Sequence, residues 1–130
     1  LTHMSMQGIK IDCSTFMPNI SNFENFYFEI NDKKILRIPY NWEDDYEFYQ
    51  KKKKYNFSDV NHYKTLIMDF HPIHVFLNSS SISEYEKYKE GKGYNYSKNQ
   101  GTENMLDEII KEYIKGNIKI KNLNNFANIK

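Results

Sequence analysis

Two short stretches hold most of the side chains that could move a proton or grip an ion. In Arg37-Ile38-Pro39-Tyr40-Asn41-Trp42-Glu43-Asp44-Asp45, the chain's single arginine and single tryptophan precede three consecutive carboxylates. A guanidinium matches carboxylate geometry, so Arg37 is expected to ion-pair with these acids. The competing reading is a surface salt bridge beside an exposed Trp42. The second stretch is Asp69-Phe70-His71-Pro72-Ile73-His74. Its H-x-x-H spelling suggests a metal site, but residues three apart on a strand project to opposite faces. Both imidazoles could reach one ion only if Pro72 broke the strand sharply. His71, at the end of an apolar run, is therefore the site candidate, and a general acid if a carboxylate holds its ring. His74 is expected to be a packed or hydrogen-bonded side chain. Cys13 falls on the apolar face of a predicted strand and reads as a small core residue. His62 has no evident partner, and neither a glycine-rich phosphate loop nor a G-x-S-x-G elbow is present.

The elements that must position these residues follow from periodicity. Gly8 to Ser14 alternates Ile9, Ile11 and Cys13 against Lys10, Asp12 and Ser14, which predicts a strand burying the first set. Phe16 to Asn25, with Pro18 and several Asn and Ser, reads as a loop. Asn25–Ile30 and Lys34–Tyr40 flank Asn31-Asp32 as a β-hairpin, and Pro39, without an N–H, should end the pairing. Asn41–Tyr49 starts a loop or short helix, and Lys51–Lys54 reads as a solvated face. Ser58-Asp59 could cap a helix. Thr65 to Asn78 shows little alternation and reads as a strand buried on both faces. Ile82–Lys89 is a short polar helix, and Glu90–Gly101 is a loop. Thr102–Lys115 is the clearest helix, capped by Thr102 and stopped by Gly116, with Met105, Leu106, Ile109, Ile110, Tyr113 and Ile114 as its core face. A short strand and a helical turn are expected between Ile118 and Phe126. The class is α/β.

Composition narrows the options. The chain has 130 residues, enough for one domain, with 18 Lys+Arg against 17 Asp+Glu. This balance argues against a nucleic-acid partner held by bulk charge. No apolar run approaches the ~20 residues of a membrane span. Aromatic residues reach 16%, unlike a disordered chain. One cysteine can make neither an internal disulfide nor a thiolate zinc site. No signal peptide is legible near Leu1, which favours a cytoplasmic location. The start at Leu1 rather than Met reads as a tag remnant, a processed end or a cut edge.

Taken in order, GIKIDCSTFMP, LRIPYNWEDD and MDFHPIHVFLN resemble the C-terminal half of polysaccharide deacetylase-like proteins of the NodB-homology fold, most closely over residues 8–78. The resemblance implies a partial (β/α) barrel with a β-hairpin and a C-terminal helix, covering residues 1–130 as a fragment. It implies a metal-dependent de-N-acetylase acting on an N-acetylated polysaccharide or oligosaccharide of the cell surface. A divalent metal, zinc in most relatives, would bind through early Asp and His motifs, of which only His3 could be a remnant. His71 would be the late catalytic histidine acting as general acid. Arg37, with Pro39 and Tyr40, would match the arginine-proline-tyrosine motif, and Trp42 with Asp44 or Asp45 the acidic–tryptophan motif. The Tyr40 N–H is a candidate oxyanion donor. A barrel of this type needs roughly 200–250 residues, so the chain is expected to be inactive without its missing N-terminal half. The alternative is a non-catalytic carbohydrate-binding domain, with Tyr40, Trp42 and Tyr46 as an aromatic platform, or a structural α/β domain.

Overall fold

The computed structural model describes residues 6–22, 24, 26–93 and 96–126. The central feature is one extended segment, residues 33–43, that serves two small sheets in turn. Its first part is β3 (Lys33–Arg37), which pairs antiparallel with β2 (Phe26–Ile30) in the register Phe26↔Arg37 to Ile30↔Lys33. Asn31 and Asp32, at φ 51° and 59°, make the turn, and these residue types tolerate the left-handed region. On its other side β3 takes β1 (Ile11–Asp12) in parallel, with Asp12 opposite Arg37. Hairpin pairing stops at Arg37, two residues before Pro39. The segment then becomes β4 (Trp42–Glu43), parallel to β5 (Met68–Asp69), with Glu43 opposite Asp69. The parallel strands therefore bring Asp12, Glu43 and Asp69 to their carboxyl ends, the edge where α/β folds place ligands.

Helices follow. They are α1 (Asp44–Glu47), α2 (Pro72–Leu77), α3 (Ile82–Lys89), α4 (Thr102–Ile114) and α5 (Leu123–Phe126), with a 3₁₀ turn at Phe57–Asp59. Trp42, Phe48, Tyr55, Val60 and Met105 form the main buried cluster, with Leu66, Met68, Phe70, Ile82 and Ile109 packed on it. Among the described residues no helix is long and apolar enough to cross a membrane.

The α/β class, the hairpin and the C-terminal helix stand, while the described strands make two small sheets and form no barrel. Four expectations are corrected. In the first strand the alternation fails at two positions: Ile9 is 39% exposed, whereas Asp12 is 3% exposed, because its carboxylate is drawn in against Arg37. The run from Thr65 to Asn78 is strand only at Met68–Asp69. Pro72 takes the first position of α2, where its missing N–H costs nothing, and turns the rest into helix. In α4 only the first turns pack, so Met105 is buried while Ile110, Tyr113 and Ile114 are exposed. No strand forms between Ile118 and Phe126.

Thr102 does not cap α4 either. The cap residue is Gly101, and the orphan N–H groups of Glu103 and Asn104 donate to Oδ1 of Asn78, at 3.1 and 3.2 Å. Asn78, buried and left-handed at φ 48°, ends α2 and so ties one helix end to the next helix start. Gly101 is needed for close approach: a Cβ there would lie 2.2 Å from the Asn78 carbonyl oxygen. Gly101→Ala is expected to destabilise the fold by about 1–3 kcal/mol through this overpacking, read as a lower denaturation midpoint with unchanged m-value.

Candidate active site

The end of β4 runs directly into α1, and the end of β5 into α2, so four side chains with titratable heads meet at adjacent strand ends. Asp44, the first residue of α1, is fully buried. Its Oδ2 accepts the backbone N–H of His71 at 2.9 Å, and its Oδ1 lies 2.6 Å from His71 Nδ1. Both bonds fix the imidazole with Nδ1 toward Asp44 and Nε2 toward the open side, and the His71 side chain is 38% exposed. Asp45 lies beyond it, with Oδ2 3.8 Å from His71 Nε2. His74 Nε2 is 2.7 Å from Asp45 Oδ1. That is an ion-pair distance without hydrogen-bond alignment: buried Asp45 Oδ1 and His74 Nδ1 have no hydrogen-bond partner among the described residues. The His74 ring is wedged edge-on between Phe48 and Tyr85.

The charges shape one another. Burial pulls His71 toward its neutral form, but the hydrogen bond and charge of Asp44, with the charges of Asp45 and Asp69, outweigh it and raise its pKa above the ordinary histidine value. Burial pushes the Asp44 carboxyl above the usual range, opposed by the two bonds from His71. Burial also raises Glu43; His71 opposes this, and the carboxylates of Asp45, Asp69 and Asp44 add to it. The Tyr40 hydroxyl is raised by burial and by the charges of Glu43 and Asp69.

The expected residues are thus divided. His71, Asp44 and Asp45 come together, and the two acids take different positions: Asp44 holds the imidazole and Asp45 faces its free nitrogen. Arg37 goes elsewhere. Its Nε donates to Asp12 Oδ2 at 2.8 Å, its Nη2 bonds the same oxygen, and its guanidinium lies 4.2 Å above the Phe28 ring. Burial alone would raise Asp12, but Ser14 and Arg37 outweigh it and hold the carboxyl below its ordinary range. Pro39 is buried. The Tyr40 N–H donates to the Thr15 carbonyl at 3.0 Å, so it is not a spare oxyanion donor. Trp42 is neither an exposed neighbour of a salt bridge nor part of an aromatic platform. It is 1% exposed, it contacts Tyr55 and Phe70, and its Nε1–H donates to the Lys54 carbonyl at 3.0 Å. Trp42→Phe is accordingly expected to cost about 1 kcal/mol or somewhat more for the lost bond and volume, and to leave any sugar binding unchanged in a calorimetric titration. Lys54 is not simply solvated: its Nζ reaches Asn19 Oδ1 and the Tyr63 hydroxyl, each at 3.0 Å. His3 lies outside the described residues.

His74 was missed as a partner in the site, and so were Glu43 and Asp69. The signal for His74 lay in Pro72: proline favours the first helical position, and helical residues three apart share a face. Asp44, Asp45, His71 and His74 place ligand-type atoms within 4.8 Å of one another, as do Glu43, Asp69 and His71. Carboxylate and imidazole donors suit a divalent metal. Asp44 is committed to His71, whereas Asp45 Oδ1, without a hydrogen-bond partner among the described residues, lies beside His74 Nε2, and both are donors of the type that holds such an ion.

The protein is thus a mixed α/β domain with an imidazole–carboxylate cluster at the carboxyl ends of its parallel strands, the edge where α/β folds place ligands. A family model described as WbmS-like polysaccharide deacetylase matches residues 1–89, and the chain belongs to that family. Its fold is similar to a crystal structure from Bordetella bronchiseptica of a candidate polysaccharide deacetylase involved in O-antigen biosynthesis. The TM-score is 0.61 at 24% identity, covering 79% of this chain and 46% of that one. The chain therefore spans less than half the length of that structure. It matches no curated protein sequence.

Proposed function

We propose that this protein is a metal-assisted de-N-acetylase of an N-acetylated polysaccharide, and that its 130 residues supply the proton-handling part of the centre. The observation that carries this reading is the buried Asp44 bonded twice to His71, inside the residues that match the deacetylase family. In amide hydrolysis the departing amine must be protonated as the C–N bond breaks. His71 holds a proton at Nε2 for that step, because Asp44 fixes Nδ1–H toward itself and the surrounding carboxylates favour the imidazolium. The oxygen of a water molecule takes the amine's place on the acetyl carbon, and the proton that this water gives up restores His71 Nε2, so that one water is shared between the acetate and the amine. Asp44 does not reach the open side; it orients the ring and compensates its charge. Asp45 and His74 would hold the divalent metal, zinc by family, which would supply Lewis-acid polarisation of the acetyl carbonyl. Arg37 and Asp12 stand one strand pairing away and hold β1 against β3, so their part is to keep the strand ends in register.

In this reading the parallel run β1, β3–β4 and β5 is an arc of a larger (β/α) barrel, and full turnover needs the residues that complete it. The test is acetate release from N-acetylated oligosaccharides by the complete protein, before and after chelation and zinc return. Acetate release that is abolished by the chelator and restored by zinc is expected. Persistent release in the metal-free protein would remove the metal from the reading, and none under any condition would remove the activity.

A further inference from the structure

The apolar arc of α4 is wider than the core uses. Met105 and Ile109 turn to the cluster around Trp42, whereas Ile110, Tyr113 and Ile114 on the adjoining face point to solvent, with Ile114 76% exposed. Gly116, at φ 78°, follows the helix end, and beyond it Ile120 and Leu123 are exposed as well. Lysines are interleaved with these side chains. Between Ile110 and Leu123 stand Lys111, Lys115, Lys119 and Lys121, all exposed, against one carboxylate, Glu112. Glu112 is taken up by Lys115 at 2.6 Å. The stretch is therefore strongly positive, although the whole chain carries only +1. It lies outside the imidazole–carboxylate site and outside residues 1–89, which match the deacetylase family.

We propose that Ile110–Leu123 is a docking surface for an anionic lipid bilayer, on which the second half of α4 and the segment after it lie flat. The inference stands apart from the deacetylase reading, because it uses none of that site's residues. An anionic bilayer surface satisfies both features of the stretch at once. Its acyl boundary takes exposed isoleucine and leucine out of water, and its phosphates attract the lysines, whose long stems let the ammonium heads stay at headgroup level. The Tyr113 ring, apolar with a polar tip, suits the same boundary. At 13 residues α4 is too short to cross the bilayer, so it rests on the surface. A second copy is a poorer occupant, since pairing through the same face on both copies sets lysines against lysines. A nucleic acid would use the charge and leave the isoleucines in water.

The probes are vesicles of phosphatidylglycerol mixed with phosphatidylcholine and vesicles of phosphatidylcholine alone, cosedimented with the complete protein. Wild type should pellet with the anionic vesicles, much less with the neutral ones, and less again as salt is raised. The double variant Lys119→Gln, Lys121→Gln should weaken partitioning by about 10–30-fold, at about fivefold for each lysine near the surface. Ile114→Ser should weaken it by about tenfold. All three positions are exposed, so the denaturation midpoints should not change. Lys51→Gln with Lys52→Gln removes the same charge from another exposed stretch and should bind as wild type. Tyr113→Trp adds a reporter: its emission should be quenched by brominated lipid, while the buried Trp42 of wild type should not respond. Four results would overturn the proposal. They are no binding of anionic vesicles by wild type, equal binding of neutral ones, unchanged binding by both patch variants, and an equal loss in the Lys51, Lys52 variant. Self-association that Ile114→Ser abolishes, without vesicle binding, would assign the face to a second copy and overturn it too.

Discussion

Replacing His71 by Ala should lower kcat for acetate release by about 10²–10⁴-fold, the usual share of a positioned general acid. KM should move little, because the imidazole is needed when the amine departs and not when the sugar is seated. The protein should stay folded. The His71 side chain is 38% exposed, and the backbone N–H that Asp44 also holds survives the substitution. The measurement is steady-state kinetics with a circular-dichroism check of the variant. Normal turnover in a folded His71→Ala protein would dismiss this residue as the proton donor, whatever else the site does.

Asp44→Asn should strike both function and fold. Asparagine keeps the volume, but its amide cannot accept both the ring Nδ1–H and the backbone N–H of His71, which Asp44 accepts with separate oxygens. Donor is left facing donor when His71 is protonated, at a cost of about 1–3 kcal/mol in chemical denaturation at low pH, and the neutral ring meets the amide only by turning Nδ1 into an acceptor. Loss of this orienting carboxylate is expected to reduce turnover by roughly 10–100-fold. The pH dependence gives a second readout. Folding raises the His71 pKa, so protonated His71 stabilises the native state fully below its unfolded value of about 6.5. That contribution disappears as pH rises through the folded value. In chelated Asp44→Asn protein the NMR titration of the His71 ring should move down and this pH dependence should flatten. An unchanged His71 titration would show that Asp44 does not set its proton affinity.

The hairpin was legible because Asn31-Asp32 and the flanking apolar runs are local signals, and α4 because its 3.6-residue period and the Gly116 stop lie within one stretch of chain, whereas its N-terminal cap comes from distant Asn78. The metal-type convergence of His71 and His74 was not. A continuous apolar run such as Thr65–Asn78 has no period to separate strand from helix, so the strand geometry assigned to it turned the two imidazoles apart. Trp42 shows the opposite failure. Its neighbours in sequence are polar and acidic, yet its ring is buried by Tyr55 and Phe70. No pattern within RIPYNWEDD contains that information.

The sequence by itself determined the α/β class, the two stretches that hold the candidate site's titratable side chains, and His71 as the leading site candidate. Those follow from residue type and local order. Only the tertiary structure decided the partners. Arg37 is claimed by Asp12, and His71 by Asp44 rather than by Asp45. The physical reason is that hydrogen bonds and ion pairs are chosen by distances of about 3 Å between strand ends. Parallel pairing sets those distances by joining Asp12 to Arg37 across 25 residues and Asp44 to His71 across 27.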